Sequence, residues 1–223
     1  MAPLDAFTQK RLIIAEGWED AVVARELITK RVRTDFDIQT TEDLGGAPGY
    51  TGFYDAILGA NGKHGFDVYQ HVVILADNDH HGHTNKRFTE IRDSIEKLRA
   101  EGLLKRSWGK PINPCIPANG DPTVTIWMWP KSGENGYLET LLWSIVCAQR
   151  GNAAKIDCVE KFIKCASATS WSQVDKARVR AFLSIGNKNK PDIRYDKLWR
   201  QYPDLIPLDH RLFKPLADFL KTL

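Results

Sequence analysis

Glu16 and Asp20 follow the apolar run LIIA, and Asp77 and Asp79 follow the apolar run VVILA. Each pair stands where a buried parallel strand would end, and in open α/β sheets that edge is where ligands bind. Two acidic clusters converging there would suit a hard divalent cation such as Mg²⁺, which takes carboxylate oxygens. Asp20 lies four residues after Glu16, so the first turn of a helix would bring both carboxyl groups to one side. Asp77 and Asp79 form a DxD pair, and in an extended segment such side chains point the same way. Left unpaired, these carboxylates would raise one another's pKa values, a conflict that a bound cation removes. Glu139, in the segment after a third apolar run (TVTIWMW), is a further acid that can complete the site. Each motif alone is a common solvated loop or helix cap. Their joint placement after two apolar strands carries the argument.

The elements that must position these residues are legible in the hydrophobic pattern. The runs ending at Glu16 and Asp77 read as buried strands, the second being the strongest central-strand candidate. Residues 18–31 predict a helix with Ala21, Ala24, Leu27 and Ile28 inward and Glu19, Arg25 and Lys30 toward water. DFDIQTT alternates as a second strand, and a glycine-rich loop (GGAPGYTG) leads into a short helix. That loop lacks the order of a phosphate-binding motif. Thr84 or Asn85 is placed to cap a helix running to about residue 100, with Phe88, Ile91, Ile95 and Leu98 inward. The strand TVTIWMW stops at Pro130, with its tryptophans in the core, and an apolar helix follows Gly136. Alternation of strand and helix to residue 149 predicts a mostly parallel sheet with helices on both faces. Residues 151–223 read as a helical extension, so the expected division is 1–150 and 151–223.

Composition excludes several classes. No apolar stretch is long enough for a membrane span, and the N-terminal residues lack the apolar core of a signal peptide. An intracellular, cytoplasmic location is the expectation. The four cysteines have no zinc-knuckle spacing and are expected to be reduced and mostly buried. A net charge of +3 does not by itself imply nucleic-acid binding, but residues 150–200 hold 12 Lys or Arg against 5 Asp or Glu. This stretch includes Lys176, Arg178, Arg180, Lys188, Lys190, Arg194, Lys197 and Arg200, interleaved with Trp171, Phe182, Tyr195 and Trp199. It is either a surface for single-stranded or irregular nucleic acid or an ordinary helical lobe with a charged exterior.

The acidic motifs resemble the Toprim fold of topoisomerases, bacterial primases, ribosomal RNA maturation nucleases and OLD-type nucleases. Glu16-Gly17 matches the family's first motif and Asp77-Asn78-Asp79 its DxD motif. The form EGxxD, ending at Asp20, looks closest to the small stand-alone and OLD-like members. The segment containing Glu139 resembles the one after the fourth strand in an uncharacterised Toprim-related family. The resemblance covers about residues 10–150. The chain lacks the primase zinc cluster and the GxxxxGK[ST] loop of an ATPase, and its length leaves little room for a topoisomerase gate.

The resemblance implies a Mg²⁺- or Mn²⁺-dependent nuclease or phosphodiesterase acting on DNA or RNA through activated water. It implies Glu16, Asp77 and Asp79 as ligands, with Glu16 alternatively a general acid or base. Asp20 and Glu139 would hold a second metal or orient water. Lys131 is read either as an electrostatic clamp on the phosphate or as a solvated loop residue. His80, His81 and His83 could bind a softer metal, contact phosphate or face solvent. A role as an effector in defence against phage, beside an ATPase partner, is also implied by resemblance. Two competing readings are a non-catalytic binding module for nucleic acid or protein and a small-molecule phosphatase.

Overall fold

The computed structural model describes residues 10–79, 85–131, 133–170, 173–187 and 189–223. Four strands form a single parallel sheet in the order β2-β1-β3-β4. They are β1 (Arg11–Ala15), β2 (Asp37–Thr40), β3 (His71–Asp77) and β4 (Thr123–Trp129). The register sets Ile13 beside both Ile38 and Val73, and Asp77 beside Trp129.

The alternation of strand side chains builds two cores. Leu12, Ile14, Val72, Ile74, Ala76, Val124, Ile126 and Met128 face one side. There they meet α2 (Phe53–Gly62) and α3 (Lys86–Ala100). The inward residues expected for α3, Phe88, Ile91, Ile95 and Leu98, are all buried in this core. Ile13, Val73, Leu75, Trp127 and Trp129 face the other side. α1 (Trp18–Leu27) and α4 (Leu138–Ala148) cover that face. α1 runs on through a π-helical turn, Ile28–Val32. Burial on both faces is why the strands read as nearly continuous apolar runs.

The helices after residue 150 are α5 (Ala153–Cys165), α6 (Val174–Gly186), α7 (Tyr195–Gln201) and α8 (Lys214–Thr222). Their apolar residues join the core of α1 and α4 without interruption, through Val159, Phe182, Trp199, Phe213 and Leu220. Polar ties reinforce the join. Lys30 Nζ donates to the Trp199 carbonyl at 2.7 Å and Arg31 Nη1 to that of Leu208 at 3.0 Å. Phe182, Tyr195 and Trp199 are therefore core residues, at most 1% exposed. They offer no stacking surface to a nucleic acid, which corrects that reading of the basic stretch. Trp171 and Lys188 lie outside the described residues.

Two other expectations change. Cys147 on α4 and Cys158 and Cys165 on α5 are free thiols but exposed; α5 turns Val159 and Ile163 inward and leaves its two cysteines outside. α7 has no counterpart in the sequence reading, since seven residues flanked by prolines carry too little periodicity. Among the described residues, no helix is long and apolar enough to cross a membrane.

Candidate metal centre

β1 leads through α1 to β2 on one side, and β3 lies on its other side. The order in which strands join the sheet thus reverses between β1 and β3, creating the crevice where open α/β sheets bind ligands. A cavity of about 190 Å³ opens there, lined by Glu16, Gly17, Glu19, Asp20, Gly49, Asp77, Leu138, Glu139 and Lys176. Four of the acids singled out in sequence, Glu16, Asp20, Asp77 and Glu139, share this cavity.

Backbone amides hold three of these carboxylates by one oxygen each. The Asp77 N–H donates to Glu16 Oε2 at 3.0 Å, and the Leu138 N–H, at the start of α4, to Asp77 Oδ1 at 2.9 Å. The Gly17 N–H donates to Asp20 Oδ2 at 3.1 Å, capping α1. Asp20 Oδ1 is buried with no hydrogen-bond partner, in a residue only 6% exposed. Leaving such an atom unsatisfied is costly unless something else binds it. Glu139, 4% exposed, accepts from the Tyr195 hydroxyl at 3.5 Å.

The electrostatics report the same crowding. Burial raises Glu16 to about 6, with the Asp79 charge adding to the effect. Burial and the charges of Glu16 and Glu139 hold Asp20 well above the usual carboxylate range. Asp77 is raised by burial and by Asp20, Glu16 and Glu139. Burial raises Glu139 as well, although Lys176 opposes it.

Lys176 is the cation of the cavity, and sequence reasoning did not single it out. The Asp175 N–H donates to the Tyr137 hydroxyl at 3.0 Å, which pins the start of α6 to the start of α4. That staple carries Lys176 to the acids. Burial works against its charge, but Glu139, Asp77, Asp20 and Glu19 outweigh burial and raise its pKa. Its only signal in the sequence was membership of the basic stretch. Glu19, expected to face water, also lines the cavity and pairs with Arg180 at 3.0 Å.

Two predicted residues stand elsewhere. Asp79 is not in the cavity lining, and its Oδ1 accepts from Arg87 Nε at 2.9 Å. Lys131 is 64% exposed and pairs with Glu134 at 2.7 Å. It lines a separate cavity with Trp127 and Trp129. β4 is the strand beyond β3, and its exit loop turns back through Gly136 to bond Asn78 at 3.0 Å. Lys131 on that loop is left outside the acidic cavity. His80, His81 and His83 lie outside the described residues.

The glycines differ in what they require. Gly17 is extended, at φ −142°, and a Cβ there would meet Asp20 Oδ2 at an ordinary 3.5 Å. The turn therefore does not demand glycine. Gly49 does, with φ +81°, and it brings the glycine-rich loop within reach of Glu16 Oε1.

Among the described residues, no group of three or more His, Cys, Asp or Glu side chains is arranged to hold a metal ion. The chemistry of the cavity nevertheless fits a hard cation. Its donors are carboxylate oxygens, one of them is unpartnered, and five carboxyl groups face one ammonium.

Fold and cavity define an open parallel α/β protein with a buried acidic cluster at the reversal of its strand order. Within that class, the chain belongs to the family described as "Protein of unknown function (DUF3226)", whose model matches residues 10–223. No curated protein and no solved structure matches the chain.

Proposed function

We propose that this protein is a Toprim-like, Mg²⁺- or Mn²⁺-dependent phosphodiesterase that hydrolyses nucleic acid. The observation that carries the reading is the convergence of Glu16, Asp20, Asp77 and Glu139 on one cavity, with Asp20 Oδ1 buried and unpartnered. Those four residues would hold the cation. When bound, a divalent cation screens phosphate charge and lowers the pKa of water.

The chain's own groups supply the rest. Backbone amides fix one oxygen each of Glu16, Asp20 and Asp77 and so orient the carboxylates before any ligand arrives. The Thr41 hydroxyl donates to the Glu16 carbonyl at 3.0 Å and braces the turn after β1. Lys176, rather than Lys131, faces the phosphate oxygens and stabilises charge developing on them.

Cavity size favours a polymeric substrate over a free nucleotide. Sites that enclose a small molecule usually occupy roughly 300–1,000 Å³, whereas this one has about 190 Å³. It has room for cation and phosphate while the rest of the substrate lies across the rim. The chain carries no GxxxxGK[ST] loop, so an ATP-coupled role in phage defence would require a separate ATPase partner.

The test is incubation of the chain with plasmid, single-stranded DNA and RNA in Mg²⁺, Mn²⁺ or EDTA. Cleavage should require the metal and vanish in Asp77→Ala and Glu16→Ala. Binding without turnover in every metal would favour a non-catalytic module, and turnover of nucleotides alone a phosphatase.

A further inference from the structure

Two exposed aromatic residues each follow a cavity-lining glycine in the chain, and each has a guanidinium against its ring. Trp18 directly follows Gly17 of the cavity lining and is 38% exposed, with Arg194 4.8 Å from its ring centroid. Tyr50 directly follows Gly49 of the lining and is 36% exposed, with Arg87 3.3 Å from its ring centroid. The only other large exposed aromatic among the described residues is Phe162, in an apolar groove between α5 and α6.

Exposed single apolar residues are ordinary, but this distribution is selective. Two of three exposed aromatics adjoin cavity-lining glycines, and they come from different segments, the turn after β1 and the glycine-rich loop. The arginines come from two further segments, α3 and the residues before α7. Four separate parts of the chain thus assemble two ring-and-cation pairs beside one acidic cavity.

We infer that Trp18 and Tyr50 are stacking platforms for two unpaired bases flanking the phosphate, so that the site takes single-stranded polynucleotide. This rests on the phosphodiesterase reading and names its substrate class. Aromatic faces bind any base by stacking, and neighbouring cations meet the backbone. Bases paired in a duplex are stacked within the helix and cannot reach such platforms without being unpaired. Arg194 is 64% exposed, and although its Nε lies 3.4 Å from Asp196 Oδ1, it would reach a phosphate on the Trp18 side by exchanging that surface partner. Arg87 is tied to Asp79 and Glu90 and serves as a rigid backing for Tyr50.

The experiment is fluorescence anisotropy in Ca²⁺ with labelled oligo(dT), oligo(U) and a duplex, each of about 20 nucleotides. Trp18→Ala and Tyr50→Ala should each weaken single-strand binding by about tenfold and leave duplex binding unchanged. Trp18→Phe and Tyr50→Phe should stay within about threefold of the parent, because each keeps a ring. The tighter of oligo(dT) and oligo(U) identifies the polymer. Duplex affinity equal to that of the single strand, or alanine variants that bind like the parent, overturns the inference. Binding that follows this pattern without cleavage in Mg²⁺ or Mn²⁺ leaves the inference standing and sinks the hydrolytic reading. Cleavage that ignores both alanine variants does the reverse.

Discussion

The carboxylates at the rim of the sheet and the cations of residues 150–200 are housed in opposite ways. At the rim, five carboxyl groups share a cavity with one lysine, and Asp20 keeps an oxygen without a partner. In the basic stretch, all four arginines between residues 178 and 200 have found anions. Arg178 binds Glu160 and Asp175, Arg180 binds Glu19, Arg194 binds Asp196, and Arg200 lies 3.6 Å from Glu26. Exposed, paired charges contribute little and reveal little about function. Buried like charges destabilise the fold, and a protein retains them where a ligand resolves the conflict. Lys176 is the exception that joins the regions, a member of the basic stretch placed inside the acidic cavity.

The largest effect expected from this contrast is catalytic. Asp77→Asn should cut metal-dependent hydrolysis by roughly 1,000-fold while raising stability in EDTA by about 3 °C. Calorimetry beside a cleavage assay checks both. Loss of activity with a lower melting temperature would falsify the claim that the cavity is strained by repulsion.

Next in size is the lysine exchange. Lys176→Met should reduce turnover by about 100-fold, whereas Lys131→Met should stay within about twofold because its side chain is outside the cavity. Equal losses in single-turnover rates would show that Lys176 has no privileged position.

A pH dependence follows from the raised carboxyl groups. Glu16 in the folded chain is pushed up to about 6 from an ordinary 4.5, and Asp20 and Asp77 are raised well above 3.8. The folded state therefore binds protons more tightly than the unfolded chain. Its stabilisation by these protons is present at low pH and is lost as pH rises through the raised values. In EDTA the melting temperature should fall between pH 5 and pH 7 through Glu16, and further above that through the aspartates. Mn²⁺ should restore more at pH 7.5 than at pH 5. A melting temperature indifferent to pH and metal alike would dissolve the distinction between the two charged regions.

The smallest effect belongs to the paired surface. Arg200→Met should change stability by less than about 0.5 kcal/mol in urea denaturation, since its side chain is 74% exposed. A loss of several times that size would make the tail's ion pairs structural.

Much of the fold was legible because burial on both faces writes itself into the chain. The apolar runs at β1, β3 and β4 and the helical spacing of Phe88, Ile91, Ile95 and Leu98 are local patterns with local causes. The convergence of Glu16, Asp20, Asp77 and Glu139 was also readable, because each acid sits at a strand end or helix start that the sheet must bring together. Asp79 shows the limit of such reasoning. Its spacing from Asp77 suggested a shared direction, but the neighbouring Arg87 on α3 captures it.

What the sequence determined by itself is the parallel sheet, its two helical layers and the acids at its rim, since periodicity and burial are recorded residue by residue. Tertiary structure alone decided that α6 brings Lys176 to those acids and that Phe182, Tyr195 and Trp199 disappear into the core. It also decided that Trp18 and Tyr50, each next in the chain to a cavity-lining glycine, are exposed. These outcomes depend on contacts between segments far apart in the chain, such as the hydrogen bond from Asp175 to Tyr137. No local spacing encodes the energy of such contacts, because it arises only once both segments are packed.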